Sequence, residues 1–414
     1  MKNIVVQKYG GSSVGSIDRI KNVAKQVVKA KHENNKVVVV VSAMGNTTNE
    51  LIEKAIKINK NPSSREMDML LSTGEQMSIA LLAMAIQELN EDVISLNGYQ
   101  CKIITDDKHK KARISDIDTT RIKNELQKGK IVIVAGFQGV SQNNDITTLG
   151  RGGSDTTAVA LAAILNATKC EIYTDVDGVY TSDPRIVKGA KLLEKISYDE
   201  MLELASLGAK VLHPRCVELA RKYNVALVVK SSFNECKGTE VVEVNKVENV
   251  LVRGVSLDEK IAKVSILEVP DEPGISYQLF DILSKYNIQV DMIIQNVNRE
   301  NVNDISFTVN TEDLKEVQRI SNELKDKINA KDIVTDESVS KISVVGIGIS
   351  GSSNVASAFF RNLYELGVNI QMISTSEIKI SCIIDKKKGR EALEYVNQKF
   401  RLCSDNYVFE EKVV

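Results

Sequence analysis

Residues 3–13 read Asn-Ile-Val-Val-Gln-Lys-Tyr-Gly-Gly-Ser-Ser, a short apolar run followed by adjacent glycines and serines. The apolar run from Asn3 to Gln7 predicts a β-strand. Ser16 then stands where it can cap a helix. The apolar residues of that helix recur at a spacing of 3.6 residues: Ile17, Ile20, Val23, Ala24, Val27 and Val28. A strand, a glycine loop and a helix in this order are the repeating unit of α/β proteins.

The alternation of strands and helices continues over roughly the first 230 residues. Val37–Val41 and Ile131–Ala135 are continuous apolar runs, as expected for strands that are buried on both faces. Helices are predicted over 78–88 and 154–165, and over most of 200–223 with an interruption at Pro214. This order predicts a mostly parallel sheet flanked by helices, with ligands beyond the carboxyl ends of its strands.

The last third of the chain contains an internal repeat. Lys263–Val269 resembles Lys341–Ile347, and Asn287–Ile293 resembles Gly367–Ile373. The order strand, helix, strand, strand, helix predicts two ferredoxin-like α+β domains, although chance similarity of two such units is an alternative. We expect a catalytic domain over 1–245 and smaller domains over 246–336 and 337–414, with terminal strands exchangeable between the last two.

Composition excludes several classes of function. The 414 residues include 54 Lys and Arg against 55 Asp and Glu, so a broad basic surface for nucleic acid is not expected. The apolar runs are too short to cross a membrane, and the N-terminus does not resemble a secretory signal. Three histidines and six cysteines without a C-x-x-C pair predict no metal site and reduced thiols, which indicates a cytoplasmic protein.

Two loops after predicted strands suit anion binding. Gly10 and Gly11 let backbone N–H groups approach a phosphate, and Lys8 adds a cation beside them. A plain turn between strand and helix is the alternative. The segment 150–155, Gly-Arg-Gly-Gly-Ser-Asp, presents the fork of Arg151 between glycines, where it can bind a carboxylate.

Three further segments are open to more than one interpretation. The hydroxyls of 42–48 either bind a carboxylate or cap a helix. Glu75 is expected at the start of a helix, where it favours the helix dipole or binds an ammonium group. The segment 174–185, rich in Asp, Tyr and Arg, suits a nucleotide pocket or a hairpin, and His213 is expected to be structural.

Together these segments closely resemble the aspartate kinase family. The residues that carry the resemblance are KYGGSS (8–13), SAMGNTT (42–48), STGE (72–75), GRGGSD (150–155), TDVDGVYTSDPR (174–185) and LGAKVLHPR (207–215). The resemblance covers the whole chain, because that family also carries two C-terminal ACT domains. It implies the amino-acid kinase fold and transfer of the γ-phosphoryl group of MgATP to the side-chain carboxylate of L-aspartate. The product, 4-phospho-L-aspartate, begins lysine, threonine and methionine synthesis.

This reaction agrees with the shortage of histidine. A carboxylate nucleophile has a pKa near ~3.9 and needs no general base at neutral pH. Its difficulty is the meeting of two anions, which cations, backbone donors and Mg²⁺ relieve. A different carboxylate or carbamate kinase of the same fold and a non-catalytic amino-acid sensor are the competing interpretations.

The resemblance also implies roles for individual residues. The catalytic residues would be Lys8, Asp155 and Lys210. The ATP site would comprise Lys8, Gly10, Gly11, Thr174, Asp175, Tyr180, Arg185 and Lys210. Substrate aspartate would contact Ser42, Thr48, Glu75, Arg151, Gly152, Gly153 and Ser154. Glu75 would bind the ammonium group and Arg151 a carboxylate.

The ACT repeats imply feedback control by lysine, threonine or both. The effector positions would be Asp271, Gly274, Gln289, Val290, Asp291, Gln295, Asn369, Ile370, Gln371 and Ser376. ACT pairing implies at least a homodimer, and some relatives also make a separate regulatory subunit. Because no dehydrogenase domain follows residue 414, we expect the monofunctional form, with no nucleic-acid or membrane partner.

Overall fold

The computed structural model describes residues 3–207, 211–243, 251–297, 302–349 and 352–404. The chain divides into two compact units. The first comprises Met1–Tyr180 with Leu192–Lys246, and the second comprises Thr181–Lys191 with Val247–Val414. The expected domain boundaries stay predictions, and the segment Thr181–Lys191 groups with the second unit although the sequence suggested the first.

The first unit alternates strands and helices. Its elements in chain order are β1 (Ile4–Tyr9), α1 (Ile17–His32), β2 (Lys36–Val41), α2 (Thr47–Ile58), α3 (Ser64–Gln87), β3 (Val93–Leu96), β4 (Ile103–Thr105), β5 (Ile114–Ile117), α4 (Thr120–Gln127), β6 (Ile131–Ala135), β7 (Gln138–Ser141), β8 (Ile146–Thr148), α5 (Gly153–Ile164), β9 (Lys169–Thr174), β10 (Lys195–Ser197), α6 (Tyr198–Ser206), α7 (Pro214–Tyr223), β11 (Leu227–Ser231) and β12 (Thr239–Val242).

The main sheet of this unit has eight strands in the order β10-β12-β11-β9-β1-β2-β6-β3. All neighbouring pairs are parallel except β11 with β12, so the predicted, mostly parallel sheet is confirmed. The valines of β2 from Val37 to Val41 are fully buried, as a strand covered on both faces requires. A smaller sheet has the order β5-β4-β7-β8.

Helix α1 forms as predicted, whereas α3 is much longer than predicted. Ser16 caps α1 by accepting a hydrogen bond from the backbone N–H of Arg19. Helix α3 begins at Ser64 and includes Gly74. The residue at position 74 is glycine because a Cβ there would lie 2.9 Å from the Ala43 Cβ. The expectation that Glu75 lies at a helix start is therefore wrong.

Among the described residues, α3 is the one helix long and apolar enough to cross a membrane. It nevertheless carries the buried polar side chains of Asp68 and Glu75. Its apolar residues Ile79, Leu82 and Ile86 belong to the core that packs against the main sheet. A buried core helix of a folded unit meets the same criteria of length and composition.

The second unit contains the repeat. Its helices and strands in chain order are β13 (Leu251–Asp258), β14 (Ile261–Pro270), α8 (Ile275–Lys285), β15 (Val290–Val297), β16 (Val302–Asn310), α9 (Leu314–Lys327), β17 (Asp332–Asp336), β18 (Val339–Ile347), α10 (Ser353–Glu365), β19 (Ile370–Ser376), β20 (Lys379–Asp385), a 3₁₀ turn (Lys386–Lys388) and α11 (Gly389–Lys399).

These strands form two antiparallel sheets, in the orders β15-β16-β14-β17 and β13-β18-β20-β19. The two predicted α+β folds are confirmed. Strand β13 precedes the first repeat in the chain but pairs with β18 of the second.

The segment Thr181–Lys191 packs within this second unit. Val187 is part of its buried core, and Ala190 forms a β-bridge with Cys403. The carbonyl of Thr181 accepts a hydrogen bond from the N–H of Val255 in β13. The segment therefore contributes to the folding of the second unit, although the first unit surrounds it in sequence.

Candidate active site

The centre of the first unit's site is an ion pair between Lys8 and Asp155. Lys8 lies near the carboxyl end of β1, and Asp155 lies in the first turn of α5. The Lys8 Nζ is 2.7 Å from Asp155 Oδ1, and the two side chains are only 11% and 13% exposed. A charge pair so little exposed holds both groups in one orientation.

The glycines after Lys8 let three loops meet. Gly10 donates its N–H to the carbonyl of Tyr173 at the end of β9, so that group is already occupied. A Cβ on Gly11 would come within 2.8 Å of the Ala43 carbonyl, and the Gly11 carbonyl accepts a hydrogen bond from Gly45. The loops that follow β1, β2 and β9 therefore lie together, as the parallel sheet predicted.

Glu75 reaches the same place from α3. Its side chain is 3% exposed, and Oε1 accepts a hydrogen bond from the backbone N–H of Ala43 at 3.1 Å. Oε2 is buried and has no hydrogen-bond partner in the described part of the chain. Burial raises the pKa of Glu75 to about 7, although the hydrogen bond from Ala43 lowers it. A buried carboxylate with one free oxygen is suited to a cationic ligand.

The other residues predicted to bind aspartate lie at the edges of the same loops. Ser42 follows β2 directly, and Thr48 lies in the first turn of α2, both half-buried. Arg151 is exposed and forms no ion pair with any residue that the structure describes. Ser154 is buried against Gly136, where a Cβ would come within 2.7 Å of its side chain. Ser42, Thr48 and Arg151 are therefore at least partly accessible to solvent, whereas Ser154 is buried.

Backbone geometry fixes the loop that carries Arg151. Gly152 has φ = +68° and is the N-cap of α5, and a Cβ there would lie 2.3 Å from the Cβ of His213. Gly153 packs closely on Phe137, a non-glycine residue with φ = +69°. His213 itself caps α7 by accepting a hydrogen bond from the N–H of Arg215, which confirms its structural role.

The residues predicted to bind ATP are divided between the units. Thr174 and Asp175 follow β9 and share a hydrogen bond of 3.0 Å. Tyr180 donates its hydroxyl to Asp177, which Asn234 also contacts. Arg185 belongs to the second unit, where it forms a bidentate pair with Asp183, and its predicted role in ATP binding stays a prediction. Lys210 lies outside the described residues.

Sequence reasoning missed two polar residues, Ser232 and Asp68. Ser232 directly follows β11. Its hydroxyl accepts a hydrogen bond from the Ser13 hydroxyl at 2.8 Å and donates one to the Thr174 carbonyl at 3.2 Å. The rule that polar loops after parallel strands form the site would have found it. Asp68 was missed because α3 was predicted to begin too late, at residue 78.

In the second unit, the predicted effector residues fall into two contact groups. Asp291 pairs with Lys341, and Gln371 accepts a hydrogen bond from Lys263. Gln295 accepts from Ser276, and Asp271 accepts from Asn303. Gly274 is the N-cap of α8 with φ = +99°, and the Ser376 hydroxyl is buried without a partner among the described residues. The remaining positions, Gln289, Val290, Asn369 and Ile370, lie at or before the starts of β15 and β19.

No group of three or more His, Cys, Asp or Glu side chains suited to a metal ion occurs in the ranges that the structure describes.

Known proteins resemble both the sequence and the fold. The model of the amino acid kinase family matches residues 3–231, and models of the ACT domain match residues 264–329 and 342–400. The crystal structure of E. coli aspartokinase III with aspartate and ADP (R-state) has a TM-score of 0.80 at 26% identity, covering 96% of this chain and 99% of that chain. Its complex with lysine and aspartate (T-state) has a TM-score of 0.75 at 26% identity, covering 96% and 99%.

A curated relative is more similar in sequence. The aspartokinase of Geobacillus stearothermophilus is 49% identical over 403 residues, which are 97% of this chain and 98% of that protein. Identity of this level over nearly the full length of both proteins identifies the family. The chain belongs to the aspartokinase family.

Proposed function

We propose that the chain transfers the γ-phosphoryl group of MgATP to the side-chain carboxylate of L-aspartate and releases 4-phospho-L-aspartate. The product is the acyl phosphate with which lysine, threonine and methionine synthesis begins. We place this activity in the cytoplasm. The structure of a family member with aspartate and ADP supports the choice of both substrates.

The observation that carries the proposal is the buried carboxylate of Glu75, with one oxygen bonded to Ala43 and the other unpartnered among the described residues. An amino acid presents an ammonium group, which supplies both the charge and the donors that this oxygen lacks. Arg151, which is exposed in the glycine loop before α5, is suited to a carboxylate of the same zwitterion.

Lys8 supplies the charge that phosphoryl transfer requires. Substrate aspartate is ionised at neutral pH, so the protein has no proton to remove. The negative charge of the transferred oxygens must be balanced instead, and the Lys8 Nζ lies close to Gly10, where phosphates would enter. Asp155 holds the ammonium of Lys8 in place, and Thr174, Asp175 and Tyr180 are proposed to contact the nucleotide.

We further propose feedback inhibition by lysine, threonine or both at the ACT repeats, in an assembly of at least two chains. The lysine complex of E. coli aspartokinase III supports lysine as one effector. An effector inhibits only if it binds more tightly to a state with poorer catalysis.

The test is trapping of acyl phosphate with hydroxylamine. MgATP is supplied with aspartate, glutamate or N-acetylglutamate, and each reaction is repeated with lysine, threonine and both. Turnover of aspartate alone, suppressed by an end product, is the expected result. Absence of turnover on every acid, with amino-acid binding intact, would instead indicate a sensor.

A further inference from the structure

Asp68 is a buried carboxylate that the proposed reaction does not use. It is fully buried, and its oxygens contact three residues far away in sequence. Thr148 donates both its N–H, at 3.1 Å, and its hydroxyl, at 2.6 Å. The N–H of Lys110 lies 3.1 and 3.2 Å from the two oxygens, and the Nδ1 of His109 lies 2.8 Å from Oδ2.

These contacts join three separate segments of the first unit. Asp68 lies on α3, His109 and Lys110 lie in the loop between β4 and β5, and Thr148 is the last residue of β8. Hydrogen bonds to a buried charged group are stronger than neutral ones and costly to break. Asp68 therefore fixes the position of α3 relative to both other segments.

The backbone that leads from Thr148 to Arg151 is held against the same loop. Ala112 donates its N–H to the Thr148 carbonyl at 3.0 Å, and a Cβ on Gly150 would lie 2.8 Å from the Lys110 carbonyl. Arg215 donates to the carbonyls of Leu149 and Ala112 at 2.8 and 2.9 Å. Little freedom remains in the chain before Arg151.

Asp68 also lies on the helix that carries Glu75. The two residues are separated by two helical turns, so they project from similar faces of α3. We propose that Asp68 is a positioning residue, which sets the distance between the site of the ammonium group at Glu75 and the site of the carboxylate at Arg151. This inference rests on the proposed function, because it assigns Glu75 and Arg151 to the two ends of one amino acid.

If Arg151 holds the side-chain carboxylate, a fixed distance between the two charged anchors selects the length of the ligand, because the ammonium and α-carboxylate groups are equally far apart in aspartate and glutamate. Glutamate exceeds aspartate by one methylene, a difference that a rigid site resolves and a loose one does not. Replacement of Asp68 should therefore lower the affinity for aspartate and the preference for aspartate over glutamate. The ATP side of the site, at Lys8 and Asp155, should be little affected.

The test compares Asp68→Asn with Thr147→Val. Thr147 is a fully buried neighbour whose hydroxyl, among the residues that the structure describes, bonds only to Thr105, at 2.6 Å within the small sheet, so its loss does not release α3. We expect Asp68→Asn to raise the KM for aspartate by ~10-fold or more and to reduce the preference for aspartate over glutamate. The KM for ATP should change less than ~2-fold. Thr147→Val should lower the Tm without changing either KM.

A second pair of variants covers the possibility that Asp68→Asn does not fold. His109 is partly exposed, so the His109→Ala variant should fold. We expect it to raise the KM for aspartate several-fold. The His109→Asn variant retains a hydrogen-bond donor near the position of Nδ1 and should return this KM toward the wild-type value. Aspartate affinity is also measured by calorimetry. The proposal is overturned if aspartate affinity stays within ~2-fold of wild type in Asp68→Asn, or if His109→Asn binds no better than His109→Ala. Failure of the wild type to phosphorylate aspartate would overturn the proposed function instead, and the calorimetric comparison would still decide the role of Asp68.

Discussion

Lys341 of the second repeat forms an ion pair with Asp291 of the first, and the equivalent lysine of the first repeat, Lys263, contacts Gln371 of the second. The two contacts are equivalent, because each joins the same lysine position of one repeat to the same polar position of the other, as in an internal two-fold arrangement. They flank a shared apolar cluster that includes Met292 and Met372. Only one of the two contacts retains an opposite charge.

The two partners of the ion pair between Lys341 and Asp291 differ in burial, so their replacements should lower the free energy of unfolding by different amounts. The side chain of Lys341 is 4% exposed, whereas that of Asp291 is 45% exposed. Asp291→Ala leaves a buried ammonium without its partner and should cost up to ~3 kcal/mol of unfolding free energy. Lys341→Met leaves a carboxylate that water can solvate and should cost less than ~1 kcal/mol. Denaturant unfolding of the full chain measures both variants, and the reverse order would contradict the assignment of the buried partner.

Replacement of Lys8 tests the phosphate site. Lys8→Ala should lower kcat by at least ~10²-fold, by analogy with the loss of one preorganised donor to a developing charge. Lys21→Ala, which removes an exposed lysine from α1, is the matched control and should leave kcat unchanged. Hydroxamate formation at saturating substrates gives kcat directly. Near-normal turnover of the Lys8 variant would remove this residue from the mechanism.

The pKa of Glu75 predicts a pH dependence of aspartate binding. Burial raises this pKa to about 7, so the empty site loses its charge as the pH falls below that value. An ammonium group binds the ionised form, and kcat/KM for aspartate should therefore decline on the acid side with an apparent pKa near 7. Glu75→Gln should raise the KM at neutral pH and abolish this acid limb. A wild-type profile that is flat between pH ~5.5 and ~8 would contradict the assignment.

Gln295 tests the position of the effector site. Its side chain is exposed on β15 and accepts a hydrogen bond from Ser276 near the start of α8. Gln295→Ala should weaken inhibition by at least one end product by ~10-fold, because a ligand that bridges helix and strand loses one of its contacts. The same assay without effector should give wild-type turnover. Full inhibition by both lysine and threonine in the variant would show that this mapping is wrong.

Much of the first unit could be predicted because its signals are local. The valines of β2 and the serine that caps α1 are recognisable without tertiary information, and the parallel order then brings Lys8, Ser42 and Thr174 to one edge of the sheet. The start of α3 could not be predicted in this way. Ser72, Thr73 and Gly74 are typical of a loop, and the reason for Gly74 is its contact with Ala43, a residue distant in sequence.

Two other features could not be read from the sequence, for the same physical reason. Nothing local distinguishes Thr181–Lys191 from the preceding loop, and contacts with distant residues assign it to the second unit, among them the bridge to Cys403 and the hydrogen bond with Val255. Asp68 resembles any polar residue near a helix start until Thr148 and His109 are seen around it. Local patterns therefore predicted the central strands of the main sheet and its mostly parallel arrangement, whereas long-range contacts determined which polar residues are buried.

The pairing of β13 with β18 has a consequence for synthesis on the ribosome. The first repeat can close the sheet of β14 to β17 from contiguous chain, but β13 emerges before any of these strands and its partner emerges after all of them. During that interval β13 presents an unpaired edge, the kind of surface on which nascent chains associate wrongly. The second repeat is consequently the last part to assemble, and a chain that stalls after β17 would carry a strand with no sheet to join.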